Sequence, residues 1–435
     1  MENRRDFLGT LAAIPFANTV MGGSPAEASQ PPRPGQRTST DPSTDAAFFT
    51  AFRREFVFPP HITYCNTGTL GPMTHEILRA LTEAYRQVEA TLPEWPYFQA
   101  DGEPLTGYQP LLGIRTKAAE ILGCAADEVA ITQNATMGMN DLGNGIDWQQ
   151  GDEVLTTDQE HGGAVSIFRL MAKRRGIVVK ELPLSTAVGG GPEGVVALFK
   201  KAMTPKTRAI MVSHITSQFG IRMPVEELIA LAKNARALSI IDGAQAVGQI
   251  AVNVRELDCD AYVASPHKWL MAPKGTGLLY IRKSVQDSIW TTLASYQWEN
   301  KEQGSFRFMQ YGTGSTAIIA GLSAAFAVHE RIGMDRIERW DRMLAMRLRD
   351  GLAAIPGAVL SSPTDKRLAS AITTFRVEKA TARELQDALW AQNIRVRAQG
   401  DDKGVRLSAH ICVAPSDIDR VLKVVAALAE AKAKA

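Results

Sequence analysis

The sequence predicts an α/β protein in which a large, doubly wound, mainly parallel sheet is followed by a smaller α+β domain. Three observations lead there. Between about residues 110 and 315, short β-branched runs alternate with amphipathic segments of good helix formers, the pattern of βαβ units. The strand-like runs are short and continuously apolar, as strands covered on both faces are. After about residue 316 the alternation gives way to long helical stretches and a few separated extended runs. With 435 residues, 45% of them hydrophobic, the chain can bury a large core. Its 48 Lys+Arg against 46 Asp+Glu leave a net charge of +2, which excludes a polyanion binder driven by bulk charge, so no nucleic-acid partner is expected. No run approaches the ~20 apolar residues that span a bilayer, and no stable membrane anchor is expected.

In chain order, the first element is an N-terminus carrying Arg4-Arg5 and Asp6, then a weakly apolar run ending at Ala26-Glu27-Ala28. Basic residues, an apolar segment and a small-residue cleavage pattern are the parts of a secretory signal. The arginine pair resembles a twin-arginine signal, so residues 1–28 are expected to engage the twin-arginine translocation machinery and send the protein to the periplasm. An amphipathic helix with a chance Arg-Arg is the alternative. Residues 29–44, rich in Pro, Ser and Thr, are expected to be a flexible linker. Residues 45–109 are expected to pack on the small domain or cross between the two domains. The large domain is expected over 110–315, with strands at 129–132, 153–156, 177–181, 208–212, 238–241, 261–264 and 277–281 and helices such as 114–123 and 225–237. The small domain, 316–435, is expected to hold a long helical stretch over 317–349, a strand at 370–377, a helix at 382–391, extended runs at 394–398 and 404–409, and a last helix at 416–433. Cys65, Cys124, Cys259 and Cys412 form no CxxC pair and no zinc spacing, and read as free thiols.

Four segments carry chemistry. In 261–281 (AYVASPHKWLMAPKGTGLLYI) a strand ends at Ser265-Pro266-His267-Lys268, with apolar Trp269, Leu270 and Met271 behind the lysine. A lysine so placed can be desolvated, its pKa lowered, and used to form a Schiff base, although a lone Lys at a strand end is also an ordinary solvated charge. In LSIIDGAQAVG, Asp242 follows an apolar strand, with Gln245 three residues on. Asp242 reads as a helix N-cap or as a ligand-site carboxylate beyond a parallel strand. ITQNATMGMN puts Ala135 and Thr136 where a helix begins after a strand, suited either to N-capping or to binding an anion. TTDQEHGG places His161 just past another strand. VGGGPEG, at 188–194, lacks a following Lys-Ser/Thr and makes only a turn, not a P-loop. Taken together, a lysine, an aspartate and a phosphate-binding turn are what pyridoxal phosphate needs.

The motifs NATMGMN, the EH of QEHGG, HITSQFGIRMPVEE, DGAQAVG, SPHKW…PKGTG and YGTGS, in this order from about residue 60 to the end, resemble the class V aminotransferase family. The resemblance implies a fold-type-I pyridoxal-phosphate enzyme. Within the family it is to the isopenicillin N epimerase-like enzymes and an exported pyoverdine-tailoring branch, rather than to true cysteine desulfurases. It implies that Lys268 forms the internal aldimine and shuttles the substrate α-proton, that Asp242 pairs with the pyridinium nitrogen, that Gln245 meets the ring hydroxyl, and that His161 stacks on the ring. Thr136, Ser265 and His267 would hold the phosphate, with Ala135 contributing backbone. Thr313, in GTGS, looks like the phosphate contact given by a second subunit, which implies a homodimer with shared sites. Arg406, in GVRLSAH, matches the arginine that clamps the substrate carboxylate, a task suited to its fork of donors. Thr67 and Gln218 are expected to touch substrate, as is a loop near Trp95. No metal is expected.

The chain departs from desulfurases in RVRAQGDDKGVR, residues 395–406, which is short and has no Cys. A persulfide-forming desulfurase is therefore not expected. The variants Thr216-Ser217-Gln218-Phe219-Gly220 and Asn66-Thr67-Gly68-Thr69 lie closer to the epimerase-like branch. The expected function is an exported enzyme acting on the α-amino group of an amino acid, free or peptide-linked, by transamination or a related oxidative or epimerising route. A C–S lyase on a cysteine derivative is the alternative within the fold, and a catalytically idle binding or sensing protein that keeps the fold is the alternative of a different class.

Overall fold

The computed structural model describes residues 42–434 apart from 92, 94–110 and 296–297. The expected signal (1–28), most of the expected linker and Trp95 lie outside the described residues. The linker expected over 29–44 ends sooner than the composition suggests, because helix α1 (Pro42–Phe52) starts at Pro42. After it come β1 (Thr63–Tyr64), α2 (His75–Thr91) and α3 (Leu112–Leu122). Then strands and helices alternate: β2 (Val129–Thr132), α4 (Ala135–Gly145), β3 (Glu153–Thr157), α5 (Gly162–Arg175), β4 (Val178–Leu182), α6 (Gly191–Ala202), β5 (Thr207–Ser213), α7 (Val225–Asn234), β6 (Leu238–Asp242), β7 (Ala261–Ala264) and β8 (Gly277–Ile281). Helix α6 occupies part of the segment read as a mere turn: Pro192 sits in its first turn, where a missing N–H costs nothing.

These strands form one seven-stranded sheet in the order β2-β8-β7-β6-β5-β3-β4. Pairing is parallel from β7 to β4, while β8 runs antiparallel to both β7 and β2. Its inner strands β8, β7, β6, β5 and β3 are buried along almost their whole length, which explains their unbroken apolar runs.

The C-terminal part holds α8 (Thr316–Ile332), α9 (Met334–Ala353), β9 (Ala358–Leu360), β10 (Ile372–Val377), α10 (Ala382–Trp390), β11 (Ile394–Arg395), β12 (Arg397–Gly400), β13 (Gly404–Ser408) and α11 (Pro415–Lys434). The long helical stretch expected over 317–349 is made of two helices bent by 79°. The break is Gly333, at φ 88°, a left-handed conformation that glycine takes without steric penalty. Strands β12-β13-β10-β9 make an antiparallel sheet, and β1 pairs in parallel with β11. Helix α1 lies on α9, with the Phe49 ring 4.7 Å from Trp340 and Asp45 bound to Arg336 at 2.6 Å. Thr63 donates to the buried Asp417 of α11 at 2.7 Å. The chain after α1 is thus fastened to the C-terminal elements before it reaches the large sheet.

Candidate active site

A cavity of about 600 Å³ opens at the C-terminal ends of β3, β5 and β6. The sheet order places it where the chain leaves β3 for β4 on one side and returns to β5 on the other, the crevice in which open α/β sheets hold ligands. Its floor comes from the large sheet. Its opposite wall comes from β12, β13 and the 66–69 turn.

Lys268 stands on the floor. Strand β7 ends at Ala264, and the following turn, closed by Lys268 N–H donating to Ser265 O at 3.0 Å, carries the lysine into the cavity. Behind it Trp269, Leu270 and Met271 are wholly buried. Among the described residues the Lys268 ammonium has no hydrogen bond or ion pair. Burial pushes its pKa down to about 8, helped by the nearby Arg406 and Arg397 guanidiniums and opposed by Asp242.

Asp242 is the last residue of β6 and is 5% exposed. One of its oxygens accepts the Ala244 N–H at 2.9 Å, leaving the other for a ligand. His161 caps α5 by accepting the Gly163 N–H at Nδ1, 3.0 Å away. That bond leaves the proton of the neutral ring on Nε2. Burial and the Lys268 charge hold its pKa below the usual imidazole value, so the ring faces the cavity uncharged. A Cβ on Gly163 would lie 2.3 Å from Thr136 Oγ1, so only glycine lets the two turns approach this closely.

The N-terminus of α4 supplies an anion-binding corner. Asn134, not Thr136, is the N-cap: its side chain accepts from Met137 N–H at 2.9 Å. Thr136 is thereby freed, and its hydroxyl and backbone N–H line the cavity without a partner among the described residues. The Ala135 N–H, expected to face a phosphate, instead donates to Ser265 Oγ at 3.2 Å. His267 lies beside them, with Nδ1 3.2 Å from Thr276 O, which turns Nε2 toward the cavity.

On the opposite wall Arg406 is 2% exposed. It donates from Nη1 to Ser217 O at 2.8 Å and from Nη2 to Thr69 Oγ1 at 2.5 Å and Asn66 Oδ1 at 3.3 Å, bonds that hold the guanidinium in place and leave Nε buried without a partner. Desolvation, with Arg397 adding to it, draws its pKa to about 10, which still leaves it a cation at neutral pH. Gln218 lines the same wall.

The structure corrects the expectation for Thr67 and locates Gln245 and Thr313. Thr67 is fully buried, packs beside the Cys412 thiol and is not part of the cavity lining; Gly68 and Thr69 take its place. Gln245 lines the cavity, but its amide is already anchored, donating to Gly68 O at 2.8 Å and accepting from Trp269 Nε1 at 2.8 Å, so a single amide hydrogen remains for a ligand. Thr313 is exposed and lies outside the cavity lining of its own chain.

It also adds residues that the sequence did not single out. Glu160 accepts from Thr157 Oγ1 (2.7 Å), Ser213 N–H (2.8 Å) and Ser213 Oγ (2.6 Å). It thereby ties the loop that carries His161 to the end of β5, beside Asp242 in register. Burial pushes its pKa up to about 7, with Asp242 adding and the hydrogen bonds opposing. Arg397 and Lys403 line the rim.

A desolvated lysine without a partner, a carboxylate at a strand end, a neutral imidazole face and a helix N-terminus with a free hydroxyl and N–H fit the donor set that pyridoxal phosphate requires. Among the described residues, no group of His, Cys, Asp and Glu could hold a metal.

The Aminotransferase class-V family model matches residues 74–421. Isopenicillin N epimerase of Amycolatopsis lactamdurans is 26% identical over 388 residues, covering 85% of this chain and 96% of that protein. A cysteine desulfurase of Salmonella newport is 28% identical over 299 residues, 65% of this chain and 71% of that protein. Among solved structures, a mutant of C-DES with glycine covalently linked to its PLP cofactor superposes with a TM-score of 0.77 at 25% identity, covering 86% of this chain and 98% of that one. The cystine C–S lyase C-DES in complex with its reaction product cysteine persulfide gives 0.76 at 26% identity, covering 84% and 97%.

Proposed function

The chain belongs to the class-V aminotransferase family, and from that premise we propose that it is an exported enzyme acting on the α-amino group of an amino acid, free or peptide-linked, by transamination or a related oxidative or epimerising route. The fold is type I, and the cofactor is pyridoxal 5'-phosphate. When bound, the cofactor supplies an electron sink that stabilises negative charge at the substrate α-carbon.

This chain's residues do the rest. Lys268 would anchor the cofactor aldehyde, Asp242 would hold a proton on the ring nitrogen, and His161 would cover the ring face. Thr136, Ser265 and His267 would hold the phosphate. Arg406 would take the substrate carboxylate with the guanidinium hydrogens its protein partners leave free, which fixes the α-carbon relative to Lys268. With a pKa near 8, Lys268 Nζ exists in part as the free amine near neutral pH and can take and return the α-proton.

The observation that carries this reading is Lys268 itself, half-buried and unpaired among the described residues, with the Asp242 and Arg406 charges near it. The test is the visible spectrum of the purified protein beside Lys268→Ala, before and after a panel of amino acids. A cofactor band present only with Lys268 and shifted by an amino acid is the expected result. A band that is identical in Lys268→Ala would sink the assignment.

A second reading, β-elimination from a cysteine derivative, is supported by the likeness to a cystine C–S lyase. A persulfide route is disfavoured within the chain. The turn at 400–404 has no Cys, and Cys412 is buried, donates to Tyr64 O at 3.6 Å and has its pKa pushed up to about 12. Pyruvate release from cysteine conjugates distinguishes this reading.

Export rests on the Arg4-Arg5 segment and predicts that Lys at both positions abolishes appearance in the periplasm. A shared-site homodimer rests on the resemblance of Thr313, in GTGS, to a phosphate contact given by a second subunit. Cofactor lost from both sites in Thr313→Ala is the expected result, and a fully loaded monomer the contrary one.

A further inference from the structure

Arg397 and Arg406 are direct cross-strand partners in the β12–β13 ladder. Residues directly opposite on an antiparallel pair project from the same face, and like charges so placed repel. Both line the cavity, and both guanidiniums reach the same hydroxyl: Arg397 donates to Thr69 Oγ1 at 3.2 Å and Arg406 at 2.5 Å. Among the described residues neither has an acidic partner within ion-pair distance. Lys403, at the far end of the same hairpin, adds a third cation to this wall, and its ammonium too is unpaired. Asp158, Glu160 and Asp242 also line the cavity and Asp402 adjoins Lys403, but none lies within ion-pair distance of these three cations. Asp401 accepts from Ala382 N–H, Asp158 accepts from Leu184 N–H, and Glu160 and Asp242 belong to the floor.

One substrate carboxylate accounts for one guanidinium. Two arginines side by side, with a lysine beside them and no ion pair to an acid among the described residues, are a stable arrangement when the counter-charge arrives with the ligand. Arg406 is buried and fixed by three bonds, whereas Arg397 is exposed at the rim with one. We infer that the substrate is an α-amino acid carrying a second carboxylate, held by Arg397 and Lys403 while Arg406 holds the α-carboxylate. The inference rests on the reading of the cavity as an amino-acid site and specifies its substrate class. The floor does the same chemistry on any amino acid, and the rim selects a dianion.

The test uses the full chain and two probes of equal length, glutarate and pentanoate, whose binding is measured by calorimetry with and without cofactor. The wild type is expected to bind glutarate about tenfold more tightly than pentanoate, the scale of one charge-assisted contact. Arg397→Gln should remove most of that preference while changing pentanoate affinity less than about twofold, and Lys403→Gln should remove part of it. Equal affinity of the wild type for the two probes overturns the inference. So does an Arg397→Gln protein that loses both probes by the same factor, because both arginines would then serve one carboxylate. If Arg397→Gln does not fold, the wild-type ratio and Lys403→Gln still decide. The amino-acid reading fails separately, through a cofactor band that no amino acid shifts.

Discussion

The two walls of the cavity are built on different principles. The floor uses consecutive strand ends of one sheet, so Lys268, Asp242, Ser213 and His161 are placed by parallel hydrogen-bond ladders and by the short turns that follow them. The rim is assembled from segments more than 300 residues apart, the 66–69 turn and the β12–β13 hairpin, joined by Arg406 to Asn66 and Thr69. The floor therefore sets the chemistry through burial, which lowers Lys268 and raises Glu160. On the proposed reading the rim sets recognition through unpaired cations. A change in the floor should alter the reaction itself, and a change in the rim should alter what is bound.

The sharpest way to break that division is Lys268→Ala, expected to reduce turnover by at least about 10³-fold through loss of the proton-transferring amine. Steady-state kinetics check it, and a wild-type rate would refute the floor's role. Next comes Arg406→Gln, for which kcat/KM should fall about 10²-fold, mainly through KM, with the cofactor band unchanged. A lost band with unchanged KM would place Arg406 on the wrong side of the comparison.

Glu160→Gln gives a smaller effect with a definite sign. The folded carboxyl titrates near 7 against about 4.3 in the unfolded chain, so the folded state binds the proton more tightly. Stability contributed by that proton is full below the unfolded value and is lost as pH rises toward 7. Relative to Glu160→Gln, the wild type should lose on the order of 3 kcal/mol between pH 4.5 and 8, most of it below pH 7, and nothing further above about pH 8. Urea unfolding of the two proteins across that range tests this; parallel curves would count against a buried, proton-holding Glu160.

The same division explains what could be read in advance. Floor residues were legible because each stands at or just after an apolar strand, and strand ends can be found from sequence. The rim was legible only in part. Arg406 stood out through its motif, but nothing in RVRAQGDDKGVR states that Arg397 faces it, because that follows from hairpin register. Thr67 and Thr69 look alike in sequence, and only the path of the turn decides which hydroxyl meets the guanidiniums. Glu160 was visible beside His161, yet its grip on Ser213 spans 53 residues and required the sheet order. The helix break at Gly333 was missed because the apolar pattern continues on both sides of it.

The pairing of β1 with β11, and of Asn66 with Ser408, has a consequence for the order of assembly. During synthesis the seven strands of the large sheet, complete by Ile281, are all available long before β11 and β13 leave the ribosome. Contacts this distant in sequence form late, since loop closure must precede any gain from them. The first strand of the chain thus waits, unpaired, for nearly the last. Pulse-labelled hydrogen exchange during refolding should protect β5 and β6 before Thr63 and Cys65, and a chain released before residue 394 should present the chemistry of the floor with no rim to choose its substrate.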